Sequence, residues 1–232
     1  MGEPTVSIVI PTYNRSRFGP LVEFNVCIQT YKNICEVLVA DDGNERLEFA
    51  SPYPIKYLKI DQRLTIGQKR NVLAQYASGE FIAHMDDDDI YFASYIKHSI
   101  GLLIATGKSC TGSHSMLMAD VHWNEAALLG GNPEMANEAT LVYRKSFWVE
   151  RGFSQNQTSE AVAFLSGRAG AMVMSDIREV MVCFCHTENT VDKTAWLQNK
   201  ATGFPSYFYH RVLLTRIFSS AIACPTSSGK ST

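Results

Sequence analysis

An α/β architecture with a largely parallel central sheet is the fold class this sequence predicts, on three observations. Short apolar, β-branched runs alternate with stretches of helical periodicity. Three of those runs end in polar or acidic clusters: Thr12, Tyr13, Asn14 and Arg15, then Asp41 and Asp42, then Asp86, Asp87, Asp88 and Asp89. In open α/β sheets ligands bind at the carboxyl ends of the strands, so three such ends on one edge define a cleft.

The elements follow in order. Residues 5–10 are apolar and β-branched enough for a central parallel strand, which Pro11 is expected to end. Residues 20–31 carry one apolar stripe and open on Pro20, a residue suited to a first helical turn. Residues 36–40 and 55–60 predict two more strands, and Gly43 allows a sharp turn after the first of them. Residues 65–76 predict a helix whose early Lys69 and Arg70 suit an anion, although cations on such a turn also serve as solvated charges. Residues 81–85 predict the buried strand that delivers the four aspartates. Adjacent like charges at a core edge raise one another's pKa, and a divalent cation relieves that cost. The alternative is a solvated acidic turn before the next helix.

Further on, residues 92–106 predict a helix ended by Gly107. Residues 108–118, 138–143 and 179–185 have strand character, and 120–137 reads as a loop. Helices are expected at 191–199 and 207–217. The expected organisation is one domain over 1–220, in two halves (1–107 and 108–220), with a flexible tail (221–232). In that tail Gly-Lys-Ser-Thr matches the end of a phosphate-binding loop, but Cys224 stands where its first glycine belongs.

Composition narrows the function. The 232 residues are 46% hydrophobic, ample for a core, and a net charge of −2 offers no basic surplus for nucleic acid. No apolar stretch is long enough for a membrane helix and the amino terminus lacks a signal-peptide layout, so a cytoplasmic protein is expected. The six cysteines form no CxxC pair and read as reduced structural thiols. A zinc site at Cys183, Cys185 and His186 is disfavoured because a strand would point His186 away from the two thiols.

Four segments together, residues 6–15, 36–44, 67–71 and 79–89, resemble the nucleotide-binding half of a GT-A fold glycosyltransferase of family 2. The resemblance implies that Thr12, Tyr13, Arg15 and Asp42 line the base and ribose of a nucleotide sugar, with Arg70 beside the base or diphosphate. It implies that Asp86 to Asp88 form a DXD motif, with Asp88 a direct ligand of Mn²⁺ or Mg²⁺ and Asp86 or Asp87 nearer the ribose and the metal's water shell. A late His such as His186 would complete the metal or diphosphate site; it could equally be structural. Residues 144–153 resemble the helix and Gly-Phe turn that precede the family's catalytic acid, but where the family has Glu-Asp this chain has Glu160-Ala161. Glu160 is therefore the candidate general base, with Asp120, Glu134 and Glu138 as rivals; Ser159-Glu160 is also simply a good helix start. His114, His122 and Trp123 are sugar-contact or packing candidates.

The activity that the resemblance implies is metal-dependent transfer of a sugar from a nucleoside-diphosphate sugar, expected to be a UDP-sugar, to a glycan or glycoconjugate hydroxyl with inversion. A sugar-phosphate nucleotidyltransferase would want a Gly- and Lys-rich loop after the first strand, which residues 11–15 lack. A non-catalytic cation- or sugar-binding module is the alternative from another class.

Overall fold

The computed structural model describes residues 2–120, 126–187, 189, 190 and 193. Along the chain run β1 (Val6–Thr12), α1 (Gly19–Cys27), β2 (Ile34–Asp41), β3 (Ile55–Lys59), α2 (Ile66–Tyr76), β4 (Phe81–His84), β5 (Ile90–Tyr91) and α3 (Tyr95–Thr106). They are followed by β6 (Cys110–Gly112), β7 (Met116–Asp120), β8 (Ala126–Leu129), β9 (Val142–Arg144), α4 (Lys145–Glu150), α5 (Ala161–Leu165), β10 (Met172–Met174) and β11 (Met181–Cys185). Seven strands make the central sheet in the order β10-β6-β9-β4-β1-β2-β3. Its described pairings are parallel except those of β9, which runs antiparallel to β4 and β6. A smaller sheet has the order β5-β11-β7-β8.

Both faces of the central sheet are covered, which is why β1 is apolar at nearly every position. Val6, Ile8 and Ile10 point into one core with Val22 and Val26 of α1 and Ile96, Ile100 and Leu103 of α3. Val9 points into the other, with Leu73 and Ala74 of α2, Phe147 of α4 and Phe164 of α5.

The strand β1 does not stop at Pro11 but pairs with β2 as far as Thr12 opposite Asp41. The Val9 carbonyl accepts from the Met85 N–H, so by strand alternation the Pro11 nitrogen also faces the β4 side, where β4 has already ended. A missing N–H there costs no ladder bond. The first helix is also shorter than expected, ending at Cys27, while the third begins at Tyr95.

The second half differs more. The strand expected over 108–118 is two, β6 and β7, in different sheets. Residues 138–143 open with a 3-10 turn at Glu138–Thr140 before β9. The region read as a loop contains β8, antiparallel to β7, and the β10 strand was not anticipated. The expected helices at 191–199 and 207–217 and the tail lie outside the described residues, Lys193 apart. Among the described residues no helix is long and apolar enough to cross a membrane.

Candidate active site

The carboxyl ends of β1 and β4, the first turn of α2 and the start of α5 surround a cavity of about 670 Å³. Thr12, Tyr13, Arg15, Arg70, Asp86, Asp87, Asp88 and Glu160 all line it. Residues from both halves of the chain thus meet in one place.

The run Gly67 to Asn71 explains how the two sides are joined. Thr65 and Gln68 form a capping box, the Gln68 N–H donating to Thr65 Oγ1 at 3.2 Å and the Thr65 N–H to Gln68 Oε1 at 2.9 Å. Gly67 allows the helix to touch the loop before α5, because a Cβ there would lie 1.8 Å from the Ser154 carbonyl oxygen and 3.1 Å from Glu160 Cβ. Lys69 Nζ donates to the Thr12 carbonyl at 2.8 Å and to Asp42 Oδ1 at 2.9 Å. Arg70 Nε donates to Glu160 Oε1 at 2.8 Å, and its Nη2 lies 3.1 Å from Asp86 Oδ1. Asn71 ties down the Gly-Phe turn by accepting from the Phe153 N–H and donating to its carbonyl, both at 2.9 Å.

The acidic turn is fixed from behind by amides that the sequence reading passed over. Asn25 Nδ2 donates to the Asp89 carbonyl at 2.8 Å and its Oδ1 accepts from the Tyr91 N–H at 2.9 Å. Gln29 Nε2 donates to the Phe92 carbonyl at 3.1 Å. Asn25 in the buried stripe of α1, followed four positions on by Gln29 just past the end of that helix, is the signal that could have revealed them.

The four aspartates have different surroundings. Arg15 Nη1 bridges Asp87 and Asp88, lying 3.1 Å from Asp87 Oδ1. Burial, reinforced by the Asp88 charge, pushes the Asp87 carboxyl up to about 7. Burial also opposes charge on Asp88, but the His186 hydrogen bond and Arg15 hold its carboxyl below the usual range. Asp89 faces away from the cavity; it accepts from the Phe184 N–H at 3.0 Å, and burial raises it to about 8. Asp86 reaches towards Arg70.

His186 Nε2 lies 3.1 Å from Asp88 Oδ2, close to the ~3 Å that separates neighbouring ligands of an octahedral ion with bonds of ~2.1 Å. Asp87 Oδ2 is buried without a hydrogen-bond partner among the described residues. The donor set therefore fits a hard divalent cation, although no three His, Cys, Asp or Glu side chains among the described residues converge in metal geometry. Remaining ligands would have to come from a diphosphate and water, as is usual for Mg²⁺.

Two of the residues singled out by the resemblance are held by charged partners within the protein. The Asp42 carboxylate lies beneath the cavity wall, held by Lys69, by Arg63 Nη1 at 2.7 Å and by the Leu64 N–H at 2.7 Å. Burial works against its charge, but these donors prevail and its carboxyl stays below the usual range. Arg63 itself stacks 3.4 Å over the Tyr13 ring and was not singled out from the sequence. Arg70, implied to lie beside the base or diphosphate, is spent on Glu160 and Asp86. His84 is also in this network: Arg70 Nη1 approaches its Nδ1 at 3.1 Å, and burial with the Arg70 charge keeps the imidazole neutral. Of the rival acids, Glu138 lines the cavity and Asp120 and Glu134 do not. His114 also lies outside it, and His122 and Trp123 fall outside the described residues.

The sequence profile described as Glycosyl transferase family 2 matches residues 7–148. The chain belongs to glycosyltransferase family 2. That membership and the fold agree with the class expected from the motifs. A relative from Escherichia coli, the UDP-Glc:alpha-D-GlcNAc-diphosphoundecaprenol beta-1,3-glucosyltransferase WfgD, is 37% identical over 148 residues, covering 61% of this chain and 51% of the relative. An uncharacterised glycosyltransferase of Rickettsia conorii is 31% identical over 104 residues, 42% of this chain and 17% of its own length. The chain thus spans about half or less of these curated relatives. Among solved structures, Staphylococcus aureus TarS 1-349 in complex with UDP superposes with a TM-score of 0.60 at 17% identity, over 78% of this chain and 60% of that one. A mannosyltransferase from Pyrobaculum calidifontis in complex with GDP-Man and Mn²⁺ superposes with a TM-score of 0.61 at 13% identity, over 100% of this chain and 67% of that one. The fold is accordingly the GT-A fold of these glycosyltransferases.

Proposed function

We propose that this chain transfers a sugar from a UDP-sugar to the hydroxyl of a glycan or glycoconjugate acceptor, with inversion at the anomeric carbon. The observation that carries the reading is the single cavity that has Asp86, Asp87 and Asp88 on one side and Glu160 on the other. The donor is favoured by the UDP-Glc in the name of the Escherichia coli relative and by the UDP-bound TarS structure. The Mn²⁺ in the mannosyltransferase structure favours a metal at Asp88 and His186.

Held by Asp88 and His186, Mn²⁺ or Mg²⁺ would supply positive charge to offset the negative charge of the departing diphosphate. Thr12, Tyr13 and Arg15 hold the nucleotide at the ends of β1, and Asp86 meets the ribose side. Glu160 takes the proton of the acceptor hydroxyl as its oxygen attacks the face opposite the diphosphate. Arg70 engages one carboxylate oxygen of Glu160, which fixes the side chain at the cavity wall. Inversion follows from one direct displacement, with the base and the leaving group on opposite sides.

The test is UDP release from UDP-glucose with Mn²⁺, onto water or a glycan acceptor. Glu160→Gln is expected to lower kcat by about 100-fold or more, as loss of a general base does, while leaving the affinity for UDP intact. A fully active E160Q enzyme removes Glu160 from this role. An inert wild type that nevertheless binds UDP supports the non-catalytic module instead.

A further inference from the structure

The acceptor side of the cavity carries hydrogen-bonding side chains to which the reaction above gives no task. Gln157, Thr158 and Ser159 line it immediately before Glu160, and all three are exposed. None of these side chains has a hydrogen-bond partner among the described residues. Exposed polar side chains on a loop are ordinarily just solvated, but this loop is pinned. The Ser154 N–H donates to the Glu160 carbonyl at 3.1 Å and Ser154 Oγ to the same oxygen at 3.2 Å, which closes residues 154–160 into a compact loop. The Gly67 N–H donates to the Asn156 carbonyl at 3.1 Å, so the loop hangs on the first turn of α2. At its far end the Val162 N–H donates to the Ser159 carbonyl at 3.2 Å. Ser159 itself is left-handed, with a φ of +55°, a conformation that a non-glycine residue takes at a cost. In an extended chain alternate side chains face away, and the bend at Ser159 lets residues 157 to 160 all face one cavity.

Charge narrows what these groups would meet. Glu138 Oε1 accepts from the Ala161 N–H at 3.4 Å, so a second carboxyl group borders the same end of the cavity as Glu160. The cation there, Arg70, is already engaged by Glu160 and Asp86. An anion entering this end would meet two carboxyl groups beside a committed cation, whereas a neutral polyol meets groups that both donate and accept.

We propose that Gln157, Thr158 and Ser159 form the acceptor subsite, and that it takes a neutral, hydroxyl-bearing sugar ring rather than an acidic one. The proposal rests on the transferase reading and on Glu160 as its base. A ring held by the amide and the two hydroxyls presents one of its own hydroxyls to Glu160 in place of water. The oxygen of that hydroxyl bonds to the anomeric carbon as UDP leaves with the electron pair, and its proton passes to Glu160.

The test reads where the donor sugar goes. With UDP-glucose, Mn²⁺ and methyl β-D-glucopyranoside as the acceptor probe, disaccharide formed is compared with glucose released, a ratio that does not depend on how much of a variant is folded. The wild type should transfer to this probe, and about 10-fold less well to methyl β-D-glucuronide. Thr158→Val and Gln157→Ala should each move the partition towards water by about 3- to 10-fold, as loss of one neutral hydrogen bond does, and Thr158→Ser should restore most of it. Saturation-transfer NMR on the protein with UDP and Mg²⁺ reads binding of the same probe without turnover. An unchanged partition in both T158V and Q157A, equal use of the glucuronide, a wild type that does not bind the probe, or one that releases UDP but passes nothing to it overturns the proposal. A wild type that releases no UDP yet binds the probe, more weakly in T158V and Q157A, refutes the transferase reading and leaves the sugar subsite standing.

Discussion

Two arginines hold acids at opposite ends of the same cavity, and they do so under different conditions. Arg15, whose side chain is 14% exposed, spans Asp87 and Asp88 from the mouth, in reach of any ligand that enters. Arg70, 3% exposed, joins Glu160 to Asp86 inside the wall and is flanked by a neutral imidazole. The Arg15 charge can be exchanged for that of an entering cation, because it lines the cavity and Asp87 itself can take a proton near neutral pH. A sealed charge has no substitute. Its loss strands the partners, and the same low-dielectric setting that makes it effective makes its removal expensive.

Three substitutions would break or sharpen this contrast. Arg70→Met should have the largest effect, a loss of about 3–5 kcal/mol by denaturant unfolding, because the Glu160 carboxylate is left buried without its partner. Next comes Gly67→Ala, expected to cost about 3 kcal/mol since its Cβ has to push the Ser154 backbone away, and to lower kcat by moving Glu160 off Arg70. Arg15→Met should cost least, about 1.5 kcal/mol in metal-free buffer, and millimolar Mn²⁺ should recover the melting temperature. Recovery of Arg70→Met by Mn²⁺ would contradict the distinction, as would equal losses for the two arginines.

The same contrast shows what could be read from residues alone. Arg15 and Asp87 to Asp88 belong to runs that end strands on one edge, and strand-end position is a local property, so their meeting at the cavity was foreseeable. Glu160 could be picked out by its place after the Gly-Phe turn, and it does line the cavity. The partner of Arg70 was not foreseeable, because 90 residues separate it from Glu160 and nothing local sets the angle at which α2 meets the loop before α5. Glu138 was one rival acid among three for the same reason. The short strands β6, β8, β9 and β10 were misread or missed because three or four residues carry too little periodicity to choose between strand, turn and loop.

By itself the sequence determined the alternation of strands and helices, the acid-tipped edge and the capped, glycine-entered start of α2, all of which are written in neighbours a few positions apart. Which cation serves which carboxylate was decided only by the tertiary structure. Charge pairing depends on distance and on the exclusion of water, and both of these come into being when α2, the acidic turn and the start of α5 close on one another.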